Sequence, residues 1–131
     1  MVGPKNYYRR VLEKEGFNVE EKKVSQTTLS GDTIEENRTI GVIEGSRGAA
    51  RVTVAETRGG TTVTAIIHTR GEEEALALAS RLEELGGIVD RDGDRIAAKF
   101  KQASEPIVAS IARETARAVK QKKNTTAGSP T

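Results

Sequence analysis

Apolar and polar positions along the chain keep either a helical or an extended period, and the period changes at glycines. Over residues 5–15 the apolar side chains Tyr8, Val11 and Leu12 recur at three- and four-residue steps, which predicts a short amphipathic helix stopped by Gly16. Beyond Phe17 the chain is extended. Residues 19–29 are β-branched or alternate in polarity, Ser30, Gly31 and Asp32 signal a turn, and residues 34–43 form a second strand. After a turn over residues 44–48, residues 50–57 alternate, with Val52 and Val54 on one side and Arg51, Thr53 and Thr57 on the other. Gly59 and Gly60 supply a two-residue hairpin connection. Residues 61–70 then send Val63, Ala65 and Ile67 one way and Thr64, Ile66, His68 and Arg70 the other.

The helical period returns over residues 71–85, where Ala75, Leu78, Ala79, Leu82 and Leu85 make an apolar stripe behind three glutamates that suit the positive end of the helix dipole. Gly86 ends it. Residues 88–100 read as a hairpin turning at Asp92 and Gly93. A last helix starts near Ser104 as N-cap with Pro106 in its first turn. It buries Val108, Ile111, Ala112, Thr115 and Val119 and carries Arg113, Arg117 and Lys120 on another face. The expected fold is therefore α+β: an N-terminal helix, a four-stranded antiparallel meander, a Leu/Ala-rich helix, a short hairpin and a C-terminal helix. One domain over residues 1–121 precedes a polar tail, 122–131, too poor in apolar residues to fold.

Composition narrows the function. With 131 residues there is room for one core, and with 35% hydrophobic residues, mostly aliphatic, that core is Val, Ile, Leu and Ala. The absence of Cys excludes disulfide frameworks, thiolate metal sites and thiol catalysis and fits a reducing cytoplasm. No apolar run reaches the roughly 20 residues that cross a bilayer, and residues 1–14 lack the apolar stretch of a secretion signal, so the expected location is cytoplasmic and away from membranes. Abundant Glu, Arg and Lys is a bias of heat-adapted proteins. The net charge of +2 hides a segregation: residues 71–98 hold eight acids against three bases, and residues 99–131 two acids against seven bases.

Candidate chemistry follows from those bases. Arg51, Arg58 and Arg70 stand among the hydroxyls of Thr53, Thr57 and Thr64, a combination that suits phosphate oxygens; its alternative is an ordinary solvated sheet face. Lys99, Lys101, Arg113, Arg117, Lys120, Lys122 and Lys123 extend the patch, or form a solvated helix face. Tyr7 beside Arg9 and Arg10 offers a ring for base stacking next to phosphate ligands, with the bland arrangement being Tyr8 in the core and Tyr7 half exposed. Gly45, Ser46, Arg47 and Gly48 lack P-loop spacing and read as a turn whose amides, with Arg47, can meet a phosphate. His68 has no second His or Cys with which to share a metal, and Asp90, Asp92 and Asp94 around Gly93 depart from calcium-loop spacing, so neither metal nor cofactor is expected.

The opening helix followed by Gly16, Phe17 and Val19 resembles the start of Holliday-junction resolvases. In place of the Glu-x-Lys step of such metal-dependent nucleases, however, Glu56 is followed by Thr57 and Arg58, and an enzyme is not expected. The order of helix, four-stranded sheet and backing helices over residues 5–120 resembles the ThermoDBP-related single-stranded DNA-binding proteins of archaea. That resemblance implies homo-oligomers, dimers or tetramers, whose sheet faces line a path for the strand. Residues 63–120 also resemble the Pcc1 subunit of the archaeal KEOPS tRNA-modifying assembly, which implies a non-enzymatic dimerisation role. The sequence thus points first to a non-catalytic binder of single-stranded DNA or RNA, and second to an oligomerising subunit of a larger assembly.

Overall fold

The computed structural model describes residues 5–120, with side chains from Tyr7 onward. The expected tail, and Lys122 and Lys123 with it, lies outside them. Three helices and six strands follow in the order α1 (Lys5–Lys14), β1 (Asn18–Thr27), β2 (Thr33–Gly45), β3 (Gly48–Thr57), β4 (Gly60–Thr69), α2 (Glu72–Glu84), β5 (Ile88–Asp92), β6 (Arg95–Phe100) and α3 (Glu105–Lys120). Both hairpin turns sit one residue from where glycine alone would place them. Thr57 pairs with Gly60 around Arg58 and Gly59, and Asp92 pairs with Arg95 around Gly93 and Asp94.

The short hairpin does not stand apart from the meander. β6 pairs with β4, so all the strands form one antiparallel sheet of order β1-β2-β3-β4-β6-β5. The chain leaves β4, crosses through α2 to the far edge at β5, and returns through β6 into the gap, a split β-α-β arrangement. Strand alternation puts Ala50, Val52 and Val54, then Val63, Ala65 and Ile67, then Ile96, Ala98 and Phe100 on one buried face. The helices cover that face with Tyr8 and Leu12 of α1, Ala75, Leu78 and Leu82 of α2, and Val108, Ile111, Ala112, Ala116 and Val119 of α3. Each such large aliphatic burial contributes about 1.5–3 kcal/mol.

No helix lies on the other face, which is open across all the strands among the described residues. The β1–β2 hairpin also runs past its neighbour: the last β2–β3 pair is Asn37 with Glu56, so the pairs from Val24–Glu36 to Thr27–Thr33 form a two-stranded arm, with Leu29 fully exposed in its turn. None of the described helices is long and apolar enough to cross a membrane.

Candidate nucleic-acid interface

The ladder registers decide what the open face displays. On β3 the outward residues are Ala49, Arg51, Thr53, Ala55 and Thr57; on β4 they are Thr62, Thr64, Ile66 and His68; on β6 they are Arg95, Ala97 and Lys99. These three neighbouring strands present cations, hydroxyls, small residues and one isoleucine, and no carboxylate. Arg51 lies opposite Ile66, which lies opposite Ala97; Thr53 lies opposite Thr64, which lies opposite Lys99; His68 lies opposite Arg95. With strands about 4.8 Å apart and a rise of about 3.3 Å per residue, Arg51, Arg95 and Lys99 stand roughly 12–13 Å from one another, backbone to backbone. The result is a shallow lane about 30 Å long, floored by Thr53, Thr64, Ile66 and Ala97.

Several arginines outside this lane are held by glutamates, whereas those within it are not. Arg9 is bound by Glu13 and Glu21, which hold its guanidinium pKa above the ordinary value, the Glu21 bond counting most. Arg38 is held by Glu36, Arg47 by Glu74, and Arg81 by Glu114, which Arg117 also approaches at 3.8 Å. By contrast, Arg51, Arg95 and Lys99 are exposed and have no carboxylate within 4.0 Å among the described residues. At one end of the lane His68 Nε2 lies 3.3 Å from Asp94.

The expected single patch is not what folding produces. Arg58 occupies the β3–β4 turn and Arg70 follows β4 at the opposite end, so Arg51, Arg58 and Arg70 are strung along the length of the sheet. Lys101, just past β6, lies at the Arg58 end. At the other end Arg47 and Arg70, with Ser46, Ala49, His68 and Thr69, line a depression of about 300 Å³. Arg47 is not free there. Its guanidinium holds the Glu74 carboxyl below the usual carboxylate range, helped by a backbone hydrogen bond and by the charge of Arg70.

Tyr7, Arg9, Arg10, Arg113, Arg117 and Lys120 belong to α1 and α3, on the helix-covered side, and the sheet separates them from the lane. A basic surface shared between sheet face and C-terminal helix is therefore corrected: in one molecule the two point in opposite directions, because α3 must turn its apolar stripe to the sheet and its charges to water. Tyr8 is buried, which pushes its phenol pKa up, and Tyr7 packs edge-on against it at 5.3 Å and donates to the Glu105 carbonyl. Lys120 has a structural partner, donating from Nζ to the Glu15 carbonyl at the end of α1 at 3.0 Å. Arg95 joins the lane although its charge alone did not single it out. Its alternation with Ala97 and Lys99 was visible in the sequence, but the pairing of β6 with β4 was not.

No protein-family model, curated protein or solved structure matches the chain significantly.

Proposed function

We propose that the protein is a non-catalytic binder of single-stranded nucleic acid, with the sugar-phosphate backbone lying along the open face of β3, β4 and β6. The observation that supports this reading is that β3, β4 and β6 turn no carboxylate of their own to the open face, and that Arg51, Arg95 and Lys99 stand there unpaired while Arg9, Arg38, Arg47 and Arg81 elsewhere on the fold are held by glutamates. Unpaired guanidinium and ammonium groups among small hydroxyls suit phosphate oxygens, since binding exchanges condensed counterions for protein cations without breaking an internal ion pair. Arg58 and Lys101 at one end and Arg70 at the other extend the path. The lane holds no Phe, Tyr or Trp, and its one ring, the His68 imidazole, sits at its end beside Asp94, so along most of the path bases meet Ile66, Ala97 and the threonine methyls, and sequence preference is weak.

Equilibrium titration of a labelled single-stranded oligonucleotide against salt tests this. Three phosphate contacts give a slope of log K on log salt of about −2, at roughly −0.7 per contact. Arg51→Ala and Lys99→Ala each flatten that slope by about 0.7 and weaken all sequences alike without lowering the melting temperature. Absence of binding at about 50 mM salt, where such contacts are strongest, defeats the proposal.

A second reading has its own observation. Val42, Ile66 and Ile88 are 39%, 41% and 64% exposed on the same open face, which suits a self-associating subunit of a larger assembly. Val42→Thr with Ile66→Thr would then lower the native mass measured by light scattering, whereas removing the lane cations would not.

A further inference from the structure

We infer that the carboxylates bordering the lane make the site selective for one unpaired strand against a duplex; this rests on the lane being the nucleic-acid site. Toward the His68 end of the open face the charges are sorted by strand. Asp90 and Asp92 face outward on β5, opposite Ala97 and Arg95, and form one border. Glu44 on β2, opposite Ala49, and Glu20 on β1, opposite Ile40, form the other. Between the borders, on β3, β4 and β6, no outward position is acidic.

The widths decide the outcome. β2 and β5 are separated by β3, β4 and β6, so the two borders stand about 19 Å apart at about 4.8 Å per strand. A backbone running down the middle, over β4, stays about 10 Å from either border, a full Debye length at 0.1 M salt, with Arg51 one strand away on β3 and Arg95 and Lys99 one strand away on β6. A duplex cannot keep that position with both strands. Its two backbones are separated by a groove of about 6 or 12 Å, so when one occupies the lane the other is carried over a carboxylate row. There the phosphates meet Asp90 and Asp92, or Glu44 and Glu20, and the second strand's gain from counterion release is cancelled by like-charge repulsion. The border is tightest toward the His68 end. Toward the Arg58 end it relaxes, because Lys22 and Arg38 lie outside β3 there and Arg38 is already held by Glu36.

Asp90, Asp92 and Glu44 are exposed and take no part in an ion pair or side-chain hydrogen bond recorded among the described residues, so they can be neutralised without touching the core. The test compares a single-stranded oligonucleotide with a hairpin duplex of the same length at fixed low salt. It uses three proteins: the wild type, Asp90→Asn/Asp92→Asn/Glu44→Gln, and a charge-matched control on α2, Glu73→Gln/Glu83→Gln/Glu84→Gln, with folding followed by circular dichroism. The wild type prefers the single strand. The border variant gains about tenfold in duplex affinity, some 1.4 kcal/mol, and at most about threefold for the single strand, while the α2 control leaves the ratio unchanged. Equal gains for both substrates, or the same ratio change in the α2 control, reduce the effect to net charge and overturn the inference. So does a wild type that binds both forms alike. Binding of neither form overturns the lane itself along with its borders.

Discussion

Thr115 lies in the interior of α3 with no exposed surface, and its hydroxyl oxygen has no hydrogen-bond partner among the described residues. A buried hydroxyl without a partner costs about 1–3 kcal/mol, and valine has nearly the same shape without that group. Thr115→Val should therefore raise stability by about 1 kcal/mol, read as a higher midpoint in urea with an unchanged slope, since the two β-branched residues have nearly the same helix propensity. Glu74 shows the opposite situation, an ionised group that the fold favours. Its hydrogen bond from Arg47 lowers the folded-state pKa, so the contribution is present above the ordinary carboxylate range and is lost as pH falls through the depressed value. Glu74→Gln should flatten that part of the acid limb of the stability-pH curve and leave the neutral region nearly level, as thermal melts across the acid range would record. At this scale the sequence was informative about burial but not about partners. That Tyr8 goes inside follows from its spacing with Val11 and Leu12, whereas the meeting of Arg47 with Glu74, far along the chain, follows from no local pattern.

Turns and termini are where individual elements are held in place. α2 ends in a left-handed glycine: Gly86, at φ 103°, lets its own amide and that of Gly87 return to the Glu83 and Leu82 carbonyls at 2.9 and 3.0 Å. The β2–β3 turn is more constrained. Gly48 has φ 152°, and a Cβ there would lie 2.0 Å from the His68 carbonyl oxygen, a contact that only backbone movement relieves. Gly48→Ala should cost about 1–3 kcal/mol and, because that movement tilts Ala49 and Arg51, should also weaken oligonucleotide binding. Lys120→Ala removes only the bond to Glu15 at the end of α1, so a loss of about 0.5–1.5 kcal/mol with an unchanged salt slope is expected. The contrast between these two variants, measured in parallel by melting and by titration, separates sheet geometry from mere positive charge. Most of the elements were legible because periods of two and of about three and a half are imposed on each segment by its own backbone. The two hairpin turns were each misplaced by one residue, because the side-chain register, rather than the glycine, chooses which pair closes the loop.

For the whole molecule, the consequential event is the insertion of β6 between β4 and β5. It carries Arg95 and Lys99 onto the face of Arg51, puts Asp90 and Asp92 on the outer edge, and leaves one side of a six-stranded sheet uncovered. The protruding β1–β2 arm is the counterpart at the other edge, and its pairs from Val24 to Thr27, without a third strand, should exchange amide hydrogens well before those of β3 and β4. The amino-acid sequence by itself determined the element order, the α+β class, the aliphatic core and which side of β3 and of β4 faces water, because these depend on neighbours within a few residues. Only the tertiary structure decided which strands lie side by side, that the basic residues of α3 face away from those of the sheet, and which arginines are already taken by glutamates. The reason is physical. Long-range pairing is chosen by the burial of all the apolar faces at once, and a charge has no determinate partner until that packing has placed it.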